Sequence, residues 1–223
     1  MTTQSLTVER DRPQLQLALD FVSLNDALRT ASAVHPHFDI AEIGTPLIIE
    51  EGLRALEELK ARWPEKRFLA DTKIMDAGRI EAGSAFRRGA DIVTVLALAD
   101  DKTIAGALEA AAQCGGQIMA DLIHVPDPAA RARQLERLGV HILCVHTAYD
   151  VQDQAIDPLG ELACVRSAVA SRVAVAGGLK LNNVEPAVRG GADILIFGGA
   201  IAANPEPGRM AKQILDRIHE VSR

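Results

Sequence analysis

The chain has 223 residues, is 48% hydrophobic but only 3% aromatic, and carries a net charge of −6 at pH 7. No segment concentrates Lys or Arg and no apolar run approaches the ~20 residues of a membrane helix, which speaks against nucleic-acid and membrane partners. Its three cysteines (Cys114, Cys144, Cys164) lack CxxC spacing, so a reducing cytoplasm is expected rather than a disulfide framework or thiolate zinc site.

The opening MTTQSLTVERDRPQ is polar and charged, unlike a secretory signal, and 1–13 reads as an N-terminal extension before a single domain over 14–223. Short apolar runs then alternate with longer amphipathic stretches. In chain order the expected strands are QLALD (16–20), DIAEIG (39–44), RFLAD (67–71), DIVTVLA (91–97), QIMADL (117–122), HILCVH (141–146), RVAVAG (172–177) and DILIFG (193–198). Between them, segments such as LNDALRTASAV, EEGLRALEELKARW, DDKTIAGALEAAAQ and DPAARARQLERLG show helical spacing, several led by acids. Eight strands alternating strictly with eight helices predict a parallel sheet, either open and doubly wound or closed as a (β/α)8 barrel.

An internal echo favours the barrel. FRRGADIVTV, ERLGVHILCV and VRGGADILIF share one layout, and their Gly89, Gly139 and Gly191 sit 50 and 52 residues apart, two βα units each time. Glycine is expected there because a helix ends in the left-handed conformation.

Barrel chemistry gathers where strands end. Here they end in Asp20, in Glu42 before Gly44-Thr45-Pro46, in Asp71 and Lys73, in Asp121, in His146, and in the pairs Gly177-Gly178 and Gly198-Gly199. Taken alone, Asp20 or Asp121 reads as the cap of a following helix, whereas Glu42 caps poorly. Six charged or titratable rim positions together point to a site. In FLADTKIMDAG, residues two apart on a strand share a face, which aims Asp71 and Lys73 together into the mouth. They offer an ion pair, or a metal ligand or proton acceptor beside a cation for developing negative charge. Asp76 lies past the strand, where it can cap the next helix or reach elsewhere. The glycine pairs after strands seven and eight are where such barrels hold phosphate. His124 lies near the rim, His141 at the opposite end, and His35, His37 and His219 read as surface residues. Trp63 reads as helix-end packing, and TAYDVQDQAID (147–157) as a lid or a plain loop.

These motifs carry a resemblance. LALD (17–20), EIGTPL (42–47), LADTKIMDAG (69–78), TVLALADDKTIAGA (94–107), CVHTAYD (144–150) and VAGG (175–178) together resemble the 3-hexulose-6-phosphate synthase family, from about Gln14 to the last helix. That family belongs to the orotidine 5'-monophosphate decarboxylase-like suprafamily of (β/α)8 barrels. The related 3-keto-L-gulonate-6-phosphate decarboxylases tend to carry Glu at Asp121 and Arg at Tyr149, so both residues favour the synthase.

The resemblance implies Mg2+ held by Glu42 and Asp71, and substrate contacts from Asp20, Lys73 and Asp121. It also implies phosphate held by Gly177, Gly178, Gly198 and Gly199, and a homodimer in which Asp76 enters the partner's site. Many relatives carry Arg where this chain has Gly199, which leaves backbone N–H groups or Lys180 to hold the phosphate. The implied reaction is a reversible aldol addition of formaldehyde to D-ribulose 5-phosphate through a 1,2-enediolate, with His146 as base and Lys73 as electrostatic stabiliser rather than Schiff base. The decarboxylase reaction, and a barrel that binds a sugar phosphate without turning it over, are the alternatives.

Overall fold

The computed structural model describes residues 12–152 and 158–223. Most of the expected N-terminal extension, and residues 153–157 of the expected lid, lie outside the described residues.

Eight parallel strands form a closed barrel in chain order: β1 (Gln14–Leu19), β2 (Ile40–Ile43), β3 (Arg67–Ile74), β4 (Ile92–Leu96), β5 (Gln117–Asp121), β6 (Ile142–His146), β7 (Arg172–Ala176) and β8 (Ile194–Phe197). The seam closes where Gln14 to Leu17 of β1 pair with Ile194 to Phe197 of β8. Around it lie α1 (Leu24–Val34), α2 (Thr45–Glu51), α3 (Arg54–Arg62), α4 (Gly78–Arg87), α5 (Asp101–Cys114), α6 (Pro128–Leu138), α7 (Pro158–Ala168), α8 (Val184–Arg189), α9 (Gly199–Ala202) and α10 (Pro207–Val221). The barrel is as expected, but the strict one-to-one alternation is not. Gly52, at φ 63°, ends α2 and splits the β2–β3 crossover into two helices. Likewise Pro205 and Pro207 separate the single turn of α9 from α10. Among the described residues no helix is long and apolar enough to cross a membrane.

The strand pleat sorts side chains into two cores. On β1, Leu15, Leu17 and Leu19 point outward into a cluster that includes Ala27 and Ala31 of α1 and Ile214 and Ile218 of α10. Small helix residues allow this close approach, and Phe38, Phe68, Phe86 and Phe197 fill space in the same cluster. Inside the barrel, Ala18, Ile40, Leu69, Ile92, Met119, Ile142 and Ile194 form a second apolar cluster. Two residues further along β2 to β5, the same inward face presents Glu42, Asp71, Thr94 and Asp121. The barrel therefore has an apolar floor beneath a polar ring. Gly89, Gly139 and Gly191 do adopt positive φ (100°, 93° and 83°), as their repeated position requires.

Candidate active site

A cavity of about 1970 Å³ opens at the C-terminal ends of the strands. It exceeds the ~300–1,000 Å³ of a usual small-molecule cleft, because it continues from the mouth along α10. Asp20, Glu42, Asp71, Lys73, Asp121, His146, Gly177, Gly178, Gly198 and Gly199 all line it. Asp76 does not line it: it is exposed, and its Oδ1 accepts the backbone N–H of Ala77 at 2.7 Å.

Lys73 and Asp71 converge as expected, but not by pleat alternation alone. The β3–β4 register shifts between Ala70 and Ile74, and Lys73 adopts φ 46°. A left-handed non-glycine residue costs roughly 1–2 kcal/mol. Thr94 holds the turn: its Oγ1 accepts the Lys73 backbone N–H and donates to Asp71 Oδ1, both at 2.9 Å. The Lys73 ammonium then donates to Asp71 Oδ2 at 2.8 Å and to Asp121 Oδ2 at 3.3 Å. Thr45 Oγ1 lies 2.8 Å from both Asp71 Oδ2 and the Asp71 carbonyl oxygen. Asp121 Oδ2 also meets His146 Nδ1 at 2.8 Å, and its Oδ1 accepts the Ile123 N–H at 2.9 Å.

Neither Asp20 nor Asp121 caps a helix. Ser23 caps α1 and Asp127 caps α6. Asp20 instead sits between two glycines: a Cβ on Gly44 would lie 2.1 Å from Asp20 Oδ1, and one on Gly198 would lie 3.3 Å from Oδ2. Thr45, Thr94 and Gln16 also belong to this network, beyond the strand-end residues that the sequence marks. Their signal was a polar side chain beside, or at an inward position within, an apolar strand.

The charges are unequal. Burial pushes the Glu42 carboxyl well above its ordinary pKa, and Asp71 and Asp20 push it further, against Gln16 and Lys73. Asp20 is reached by solvent through the mouth, yet the protein crowding its carboxyl and the charge of Asp71 raise it, against Lys73 and His146. Burial alone would raise Asp121, but His146 and Lys73 hold it below the usual carboxylate range. Burial alone would lower Lys73, but Asp71 and Asp121 raise it and keep it an ammonium. Burial raises the Cys144 thiol, making it a poor nucleophile.

A raised folded-state pKa is a penalty once the group ionises: Glu42 favours folding below its unfolded value, and that contribution is lost as pH rises through its folded value. Glu42→Gln should therefore raise the Tm of metal-free protein at pH 7, by about 2–4 °C per kcal/mol relieved, and the gain should shrink as pH falls. A lower Tm at pH 7 would contradict this balance of charges.

Among the described residues no three His, Cys, Asp or Glu side chains stand close enough to enclose an ion. Mg2+ needs no such cage, because it commonly takes one or two carboxylates and completes its shell with water and substrate oxygens. The mutually repelling Glu42 and Asp71 fit that open arrangement.

His141 and His219 fall as expected, whereas His35 and His37 are half-buried. His141 Nδ1 accepts the Ile118 N–H at 3.1 Å, at the far end of the strands. His35 is half-buried rather than free, stacked on Trp63 at 5.6 Å and paired with Glu65 at 2.8 Å. His124 lines the cavity.

Fold and mouth together define a (β/α)8-barrel enzyme. Residues 13–214 match the Orotidine 5'-phosphate decarboxylase / HUMPS family, and the chain belongs to it. It is 41% identical over 206 residues to 3-hexulose-6-phosphate synthase of Bacillus subtilis, covering 92% of this chain and 98% of that one. The crystal structure of 3-hexulose-6-phosphate synthase from Salmonella typhimurium superposes with a TM-score of 0.91 at 38% identity, covering 93% and 99% of the two chains. That of 3-keto-L-gulonate-6-phosphate decarboxylase from Vibrio cholerae gives 0.83 at 27% identity, covering 94% and 99%. The chain is a carbon–carbon lyase of the aldehyde-lyase kind.

Proposed function

We propose that this enzyme adds formaldehyde to D-ribulose 5-phosphate, reversibly, giving D-arabino-hex-3-ulose 6-phosphate, with Mg2+ held by Glu42 and Asp71. The observation that carries the reading is the continuous chain Asp71–Lys73–Asp121–His146 across the mouth. The names of the two synthase relatives support it.

In the neutral form of His146 the contact with the Asp121 carboxylate favours the proton on Nδ1, and Nε2 is then the nitrogen able to act as base. Nε2 takes the C1 proton of the ketose phosphate, and the electron pair moves to the C2 oxygen. The Lys73 ammonium stabilises that negative charge. Because Lys73 stays protonated between two acids, an imine route through its amine is disfavoured. C1 then bonds to the formaldehyde carbon, and the new alkoxide takes the proton back from His146. A bound Mg2+ would supply Lewis acidity that acidifies C1–H.

The phosphate would rest on the N–H groups of Gly177, Gly178, Gly198 and Gly199. A Cβ on Gly199 would meet nothing within 4 Å, so the loop leaves space for a ligand, and Lys180 lines the same cavity. The exposed Asp76, beside Met75 (52% exposed) and near Ile80 (73%) in the same loop–helix segment, would enter the site of a second copy in a homodimer.

The test is formaldehyde consumption with ribulose 5-phosphate, with Mg2+ and then with EDTA. Metal-dependent consumption yielding a hexulose phosphate is the expected result. No consumption by folded, metal-loaded protein would overturn the reading and favour decarboxylation of 3-keto-L-gulonate 6-phosphate, the activity named for the Vibrio cholerae structure. His146→Gln should lower kcat by about 10²–10⁴-fold with little change in KM. An unchanged kcat would remove His146 from proton transfer.

A further inference from the structure

β1 is unusual inside the barrel. Its inward side chains run Gln14, Gln16, Ala18 and then Asp20 just past its end, where most of the facing strands put Ile, Leu or Met at the floor. Gln16 is 0% exposed, one layer beneath the mouth, paired through its backbone with Ile40 of β2 and Ile196 of β8. Its Nε2 donates to Glu42 Oε2 at 2.6 Å. Its Oε1 is fully buried and has no hydrogen-bond partner among the described residues.

A buried amide with one end unsatisfied costs stability that an apolar side chain of similar size would not. The end that is satisfied is the one that touches Glu42. With its N–H presented to Glu42, the amide turns its carbonyl the other way and leaves it without a partner. This hydrogen bond reaches Glu42 from the layer beneath the mouth, at one oxygen, and restricts the rotation of its carboxylate. Groups behind a metal-holding carboxylate commonly tune its affinity by 10–100-fold.

We infer that Gln16 is a positioning residue that orients the Glu42 carboxylate for a divalent cation at the barrel mouth. The inference rests on the proposed metal role of Glu42. Gln16 reaches the reaction only through that carboxylate, at the cost of its own unpaired oxygen.

The test is direct titration of wild type and Gln16→Met with Mn2+, followed by the electron paramagnetic resonance of the free ion, beside thermal unfolding of the metal-free proteins. Methionine keeps the length and removes both the donor and the unpaired oxygen. Expected are an undiminished Tm, Mn2+ affinity lower by about tenfold or more, and an unchanged KM for ribulose 5-phosphate at saturating metal. Affinity within twofold of wild type in folded protein would overturn the role of Gln16 while leaving Glu42 as ligand. No Mn2+ binding by wild type would overturn the metal reading of Glu42, and the role of Gln16 with it. Should Gln16→Met fail to fold, Gln16→Asn, which withdraws the amide by one methylene, is judged by the same affinity criterion.

Discussion

Asp71→Ala should lower formaldehyde-consuming turnover by about 10³-fold or more, and added Mg2+ should not restore it. Asp71 is the hub of the mouth. Its Oδ1 accepts from Thr94, and its Oδ2 lies within 2.8 Å of both Thr45 Oγ1 and Lys73 Nζ. Removing the carboxylate takes away one of two proposed metal-holding groups. It also leaves the Lys73 ammonium to lean on Asp121 alone, 3.3 Å away, and so displaces it. Asp71→Asn separates the loss of charge from the loss of the side chain, since the amide keeps the Thr94 contact but not the negative charge that would hold a metal and anchors the ammonium. Steady-state rates with and without metal, beside circular dichroism to verify the fold, decide the matter. Activity near wild type in either variant would remove Asp71 from the metal site.

The second large effect is a gain. Lys73→Ala and Asp76→Ala proteins should each be nearly inactive, yet mixing them under subunit exchange should recover roughly a quarter of wild-type activity in a symmetric dimer. Half of the randomly assorted dimers would be hybrids, and each hybrid would hold one intact site. The expectation rests on the position of Asp76, turned away from the cavity that the other strand-end residues line. Met75, Ile80 and Leu98, respectively 52%, 73% and 47% exposed, offer apolar surface in the same region of the chain. No recovery after exchange has been verified by differently tagged subunits would place Asp76 outside any shared site.

The barrel and most of the rim were legible in the chain because they rest on short-range rules. Apolar strands announce themselves, glycine marks helix ends, and a charge after an apolar run marks the open end of a strand. What escaped depended on contacts between elements. The left-handed Lys73 is held by Thr94 on the next strand, so no pattern within 68–78 reveals it. Asp20 and Asp121 look like caps until Ser23 and Asp127 are seen to occupy those posts. Gln16 stands within the QLALD motif, but a glutamine's partner 26 residues away is a property of the β1–β2 pairing rather than of local sequence. The second helix of the β2–β3 crossover was hidden because the expected helix ran straight through Gly52.

The glycines flanking Asp20 bear on how this mouth can change over generations. A methyl group at Gly44 would sit 2.1 Å from the Asp20 carboxylate, inside any tolerable contact. Even with Asp20 shortened, a larger residue at 44 would press on the Leu19 carbonyl oxygen at 2.9 Å, whereas Asp20 can be replaced by a smaller residue while Gly44 stays. Mutational routes to a new specificity are therefore one-sided: position 20 is open to change, while position 44 stays glycine because the Leu19 carbonyl oxygen closes it whatever stands at 20.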